Sequence, residues 1–95
     1  MTYRGSLALV GLGLLAACAI PPEGVTPAGL AAFDEAVASI GCELVAESDY
    51  LPVELQTGLT REQVTDVAQY RLLSEAAVRL DNGGIRLITG ACAPA

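Results

Sequence analysis

The sequence predicts a small α+β domain, three short helices followed by a C-terminal β-hairpin and closed by one disulfide. Three features carry that expectation. Apolar residues recur at helical spacing behind Thr26-Pro27, a capping box spans Thr60 to Gln63, and Asn82-Gly83 separates two apolar runs. At 95 residues the chain has room for a single domain with a modest core.

The first helix follows from its start signal. Thr26 is placed as N-cap and Pro27 at the first helical position, where a missing N–H leaves nothing unsatisfied. Leu30, Phe33, Val37 and Ile40 then recur at spacings of 3, 4 and 3, one face of a helix, and Gly41 is placed as its C-terminal cap. The helix is expected over 27–40, with Asp34 and Glu35 on the wet side. Cys42 to Val45 has the alternation of a brief strand or an extended connection.

Glu47-Ser48-Asp49 offers turn and capping groups, so Pro52 to Thr57 is expected to form a short second helix stopped by Gly58. The third start is the strongest. Thr60 and Gln63 can each satisfy the other's free backbone N–H, and Leu59 with Val64 occupies the two positions of a hydrophobic staple. Val67, Ala68, Leu72 and Ala76 continue the apolar stripe, which places the third helix from Arg61 to about Glu75.

Asn82-Gly83 tolerates the positive φ values of a two-residue type I′ turn. Centring the turn there pairs Leu80 with Ile85, Arg79 with Arg86 and Val78 with Leu87. Val78, Leu80, Ile85 and Leu87 then share the core face, and the two arginines share the solvent face. Like charges directly opposite repel unless an anion lies between them. Arg79 and Arg86 are therefore the candidate partner-binding residues, able to dock a carboxylate or a lipid phosphate unless the chain's own acids neutralise them. Three helices followed by a hairpin look like a winged-helix arrangement across residues 27–89, in element order and without a sequence motif.

Composition narrows the function. Beyond the first 17 residues, 11 acids face four arginines, a formal charge of −7. Such a surface repels phosphate backbones and anionic head groups, which argues against nucleic-acid binding and electrostatic membrane adsorption. The chain has no Lys, His or Trp. It therefore lacks the commonest acid/base group and metal ligand at neutral pH, and the best stacking surface for sugars and bases.

No catalytic residue is assigned. Ser39, Ser48 and Ser74 lack a His or Lys partner, and the acid pairs Asp34/Glu35 and Glu47/Asp49 lack calcium-loop spacing. No metal, cofactor or small-molecule substrate is implied, and the chain is expected not to be an enzyme.

The N-terminus carries the most specific motif. Arg4 and the amino terminus give a short positive region, and the uncharged run from Ser6 to Ala17, 12 residues long, is too short for a bilayer-spanning helix, which needs about 20. Leu15-Ala16-Ala17-Cys18 at its end resembles the lipobox of bacterial lipoproteins. In that family the cysteine thiol receives a diacylglyceryl group and a dedicated signal peptidase cuts before it. The resemblance covers about the first 18 residues and implies a removed signal peptide over 1–17 and lipidation of Cys18. The prolines of Ile20 to Val25 exclude helix and favour an extended backbone, so 18–26 is expected to be a short extended tether ahead of the domain over 27–95. With Ala19 rather than Asp after the cysteine, the resemblance implies an outer-membrane address facing the periplasm, the inner membrane remaining open.

With Cys18 assigned to lipid, Cys42 and Cys92 are left for each other, and export puts them in an oxidising compartment. Two free buried thiols are the alternative. These readings describe a non-enzymatic envelope lipoprotein that binds or supports another envelope protein. Two rivals stand beside it. One is an unlipidated secreted inhibitor or binding module. The other is a cytoplasmic winged-helix regulator reading DNA with Arg61, Gln63, Thr65, Gln69 and Arg71.

Overall fold

The computed structural model describes residues 20–95. The expected signal peptide over 1–17, the lipobox-like Leu15-Ala16-Ala17-Cys18 and the expected lipidation at Cys18 lie outside the described residues. The order of elements is α1 (Pro27–Ser39), β1 (Glu43–Leu44), α2 (Glu47–Thr57), α3 (Arg61–Leu73), β2 (Ala77–Arg79), β3 (Ile85–Leu87) and a final 3₁₀ turn (Gly90–Cys92). The three helices stand with a three-stranded antiparallel sheet of order β1-β3-β2, so the domain is α+β. The brief stretch after α1 is a strand, and it widens the expected hairpin into a sheet.

Local chemistry sets the helix ends. Thr26 Oγ1 accepts a hydrogen bond from Gly29 N at 3.0 Å, which starts α1. The helix closes where Gly41 and Cys42 both take positive φ, and Cys42 N donates back to Val37 O at 2.9 Å. At α3 the capping box forms in both directions, Gln63 N to Thr60 Oγ1 at 3.1 Å and Thr60 N to Gln63 Oε1 at 3.0 Å. This helix ends at Leu73, two residues before the expected stop. Ser74 N and Ala76 N donate to Tyr70 O and Arg71 O, and Glu75 takes φ +62° to turn the chain into β2.

The second helix departs further from expectation. It begins at Glu47 and contains Pro52 instead of starting there. The cause is Asp49, whose Oδ2 accepts from Val45 N at 2.9 Å and Ala46 N at 3.0 Å, fixing the start a turn upstream. Pro52 therefore sits where a ring removes a helical hydrogen bond. Gly58 at φ +73° stops the helix as expected.

The hairpin register is corrected by one residue. Val78 pairs with Arg86, Ala77 with Leu87 and Arg79 with Ile85. The loop holds three residues, Asp81, Asn82 and Gly83. Gly83 N bonds to Leu80 O, Leu80 N bonds to Gly84 O, and Gly83 takes φ +90°. A type I turn followed by a left-handed glycine is the other common solution for a short hairpin, and it moves every pairing by one. Val78 consequently faces outward and is 42% exposed, and Ala77 takes the core position expected of Val78.

The core gathers one or more side chains from every helix and strand. Phe33 and Val37 of α1, Leu44 of β1, Val53 of α2, Val64 and Val67 of α3 and Leu87 of β3 are almost wholly buried. The apolar stripes expected on α1 and α3 are the ones buried, with Leu30, Ile40 and Leu72 at their margins. Cys42 and Cys92 form the expected disulfide, with Cα atoms 5.7 Å apart and 50 positions apart in sequence. The bond ties the exit of α1 to the final turn, and closing a loop of that length contributes about 4 kcal/mol in the chain-entropy model.

Candidate functional site

The arginines expected to stand side by side do not. The one-residue change in register puts Arg79 across from Ile85 and Arg86 across from Val78, on opposite faces of the hairpin. Arg86 also lies across from Glu43 of β1, and its Nη1 is 3.3 Å from Glu43 Oε2. The outer row of the sheet thus reads Glu43, Arg86, Val78, with the cation answered by the chain's own acid. Arg79 is exposed at the end of β2 and makes no ion pair among the described residues.

The remaining two arginines are held on α3. Arg61 is clamped by two carboxylates of α2. Its Nη1 and Nη2 reach Glu47 at 2.6 and 2.9 Å, its Nε reaches Glu54, and the guanidinium lies 4.7 Å from the centre of the Tyr50 ring. The hydrogen bond from Arg61 holds the Glu47 carboxyl below its ordinary value, and the two glutamates raise Arg61 beyond its own. Arg71 makes a two-pronged contact with Asp34 of α1, Nε to Oδ1 at 3.0 Å and Nη2 to Oδ2 at 2.7 Å. It also lies 5.5 Å from the Tyr70 ring centre.

These pairings account for three of the four acids noted as possible carboxylate pairs. Asp34 belongs to Arg71, Glu47 to Arg61, and Asp49 to the start of α2, while Glu35 is exposed. Among the described residues no cluster of three or more His, Cys, Asp or Glu could hold a metal ion. The sequence did not announce the ion pairs, because each joins residues brought together only by packing of separate elements.

One concave feature stands outside these networks. A shallow groove of about 180 Å³ runs over the outer side of α3, lined by Asp66, Gln69, Tyr70 and Leu73 and by Ile20 and Pro22 of the entering chain. The described part of the Pro-rich stretch is therefore not a free extended tether. It bends at Gly24, with φ +75° and a hydrogen bond from Val25 N to Pro22 O, and lies back against the helix. Gly24 sits beside the Gln63 side chain, and Val25 packs on the core. Ile20 is 71% exposed and Leu73 55% exposed, so the groove has an open apolar rim. No helix among the described residues is long and apolar enough to cross a membrane.

No protein-family model, no curated protein and no solved structure matches this chain.

Proposed function

We propose that the chain is an exported lipoprotein, held to a bacterial envelope membrane by acyl groups on Cys18, whose small domain binds or supports another envelope protein without catalysing a reaction. The observation that carries this reading is Leu15-Ala16-Ala17-Cys18 at the end of a short positive and apolar leader. The Cys42–Cys92 bond is consistent with it, since an exported domain of this size gains from a covalent staple in an oxidising compartment. The outer membrane, facing the periplasm, is the proposed address, from Ala19 after the cysteine.

The DNA-reading alternative is weakened by the arginines of α3. Arg61 and Arg71, which would have to meet phosphates or bases, are both occupied by carboxylates of neighbouring helices. A reader of DNA would need to break these pairs and bring the surplus of acids close to a phosphate backbone.

Membrane fractionation of wild type against Cys18→Ser tests the anchor. Wild type is expected in the membrane fraction and released by detergent alone, whereas Cys18→Ser is expected to become soluble or to persist as uncleaved precursor. Equal distribution of the two, both as mature protein, contradicts the proposal. Crosslinking in intact cells followed by identification of captured envelope proteins tests the accessory role.

A further inference from the structure

The entering chain meets the domain at a defined place. Ile20 and Pro22 share the groove on α3 with Tyr70 and Leu73, and Cys18 lies only two residues before Ile20, within about 7 Å along an extended backbone. Any group carried by Cys18 therefore emerges beside the rim formed by Ile20 and Leu73. These are two of the five large apolar side chains the described domain leaves exposed. Tyr70 beside them has the amphipathic ring that suits a membrane interface.

Resting on the lipidation of Cys18 proposed above, we infer that the Ile20–Tyr70–Leu73 face is a lipid-contact surface on which the domain lies flush with the bilayer. The occupant is the uncharged part of the lipid interface. The acidic surplus disfavours electrostatic attraction to anionic head groups, and Asp66 itself lines the groove. The acyl chains supply the hold, and the apolar rim sets the orientation. Leu51 and Leu55 of α2, four residues apart and 50% and 85% exposed, do not line the groove and so serve as the control for the contact.

The test uses the full-length protein processed in its host and reconstituted in phosphatidylcholine vesicles. A photoreactive benzophenone residue is introduced as Leu73→benzoylphenylalanine or, as control, Leu55→benzoylphenylalanine, both at exposed sites that the fold tolerates. Irradiation is expected to give at least fivefold more lipid adduct from position 73 than from position 55. Equal adduct yields from protein whose mass confirms acylated Cys18 overturn the flush orientation and leave lipidation standing. Protein that carries no acyl mass overturns both, and the two failures are thus told apart. An Ile20→Ser, Leu73→Ser protein with the benzophenone residue at position 69 separates apolar docking from mere proximity. Its lipid adduct should fall several-fold relative to the same probe in the parent, and an unchanged yield overturns the apolar contact.

Discussion

Gly84 lies so close to β1 that a Cβ there would stand 2.7 Å from Val45 Cγ2 and 2.8 Å from Leu44 O. Gly83 beside it has open space but a left-handed φ. The two glycines are therefore needed for different reasons. Gly84→Ala must push the β1 backbone away from β3, at a cost of about 2 to 3 kcal/mol. Gly83→Ala meets only the left-handed penalty, about 1 kcal/mol. Urea midpoints of the two variants check the order, and equal losses contradict the close approach.

Arg71 and Asp34 join α3 to α1 through two hydrogen bonds with Arg71 only 16% exposed. Arg71→Ala leaves Asp34 without its partner and is expected to lower stability by about 1 to 2 kcal/mol. Added to Asp34→Ala, it should cost much less, because the interaction is already gone. A double-mutant cycle in urea reads the coupling, and additive losses contradict it.

Glu75 is held at φ +62°, where a side chain costs about 1 to 2 kcal/mol and glycine returns about 0.5 to 1 as unfolded-state entropy. Glu75→Gly is therefore expected to stabilise the domain by about 0.5 to 1 kcal/mol. Thermal unfolding checks the sign, and a lowered midpoint contradicts the account of this turn.

Asp49 accepts hydrogen bonds from the Ala46 and Val45 N–H groups, which hold its carboxyl below the usual range. A folded value below the unfolded one means the contribution is fully present above about pH 4 and is lost as pH falls through the folded value. Asp49→Ala should cost about 1 kcal/mol at neutral pH, the usual worth of a helix cap. The gap between wild type and variant should narrow below about pH 4. Stability measured from pH 7 to pH 2 checks this, and a constant gap contradicts it.

The features legible in the sequence were those set by neighbours along the chain. Thr26 and Thr60 announced two helix starts, Gly58 a stop, and the 3-and-4 spacing of Leu30 to Ile40 a buried face. The cysteine pair was legible by elimination once Cys18 was assigned to lipid. What failed depended on distant residues or on a local tie. Asp81-Asn82-Gly83 suits two loop lengths, and the packing of Ala77 and Leu87 into the core goes with the three-residue loop. Pro52 suggests a helix start until Asp49 is seen capping one turn earlier. The pairing of Arg86 with Glu43 needed β1 to join the sheet, and no spacing in the sequence encodes that. The groove on α3 was illegible for the same reason, since it exists only because Pro22 and Ile20 fold back.

What residue 18 carries decides the address, the anchor and the orientation together, and the intact mass of the protein extracted from its host membrane without reductant reads it directly. The predicted result is a chain beginning at Cys18 with a diacylglyceryl mass added and no thiol open to alkylation, since Cys42 and Cys92 are joined. A chain that begins at Met1 or Ile20 with no acyl mass contradicts the address, the anchor and the orientation on the membrane together.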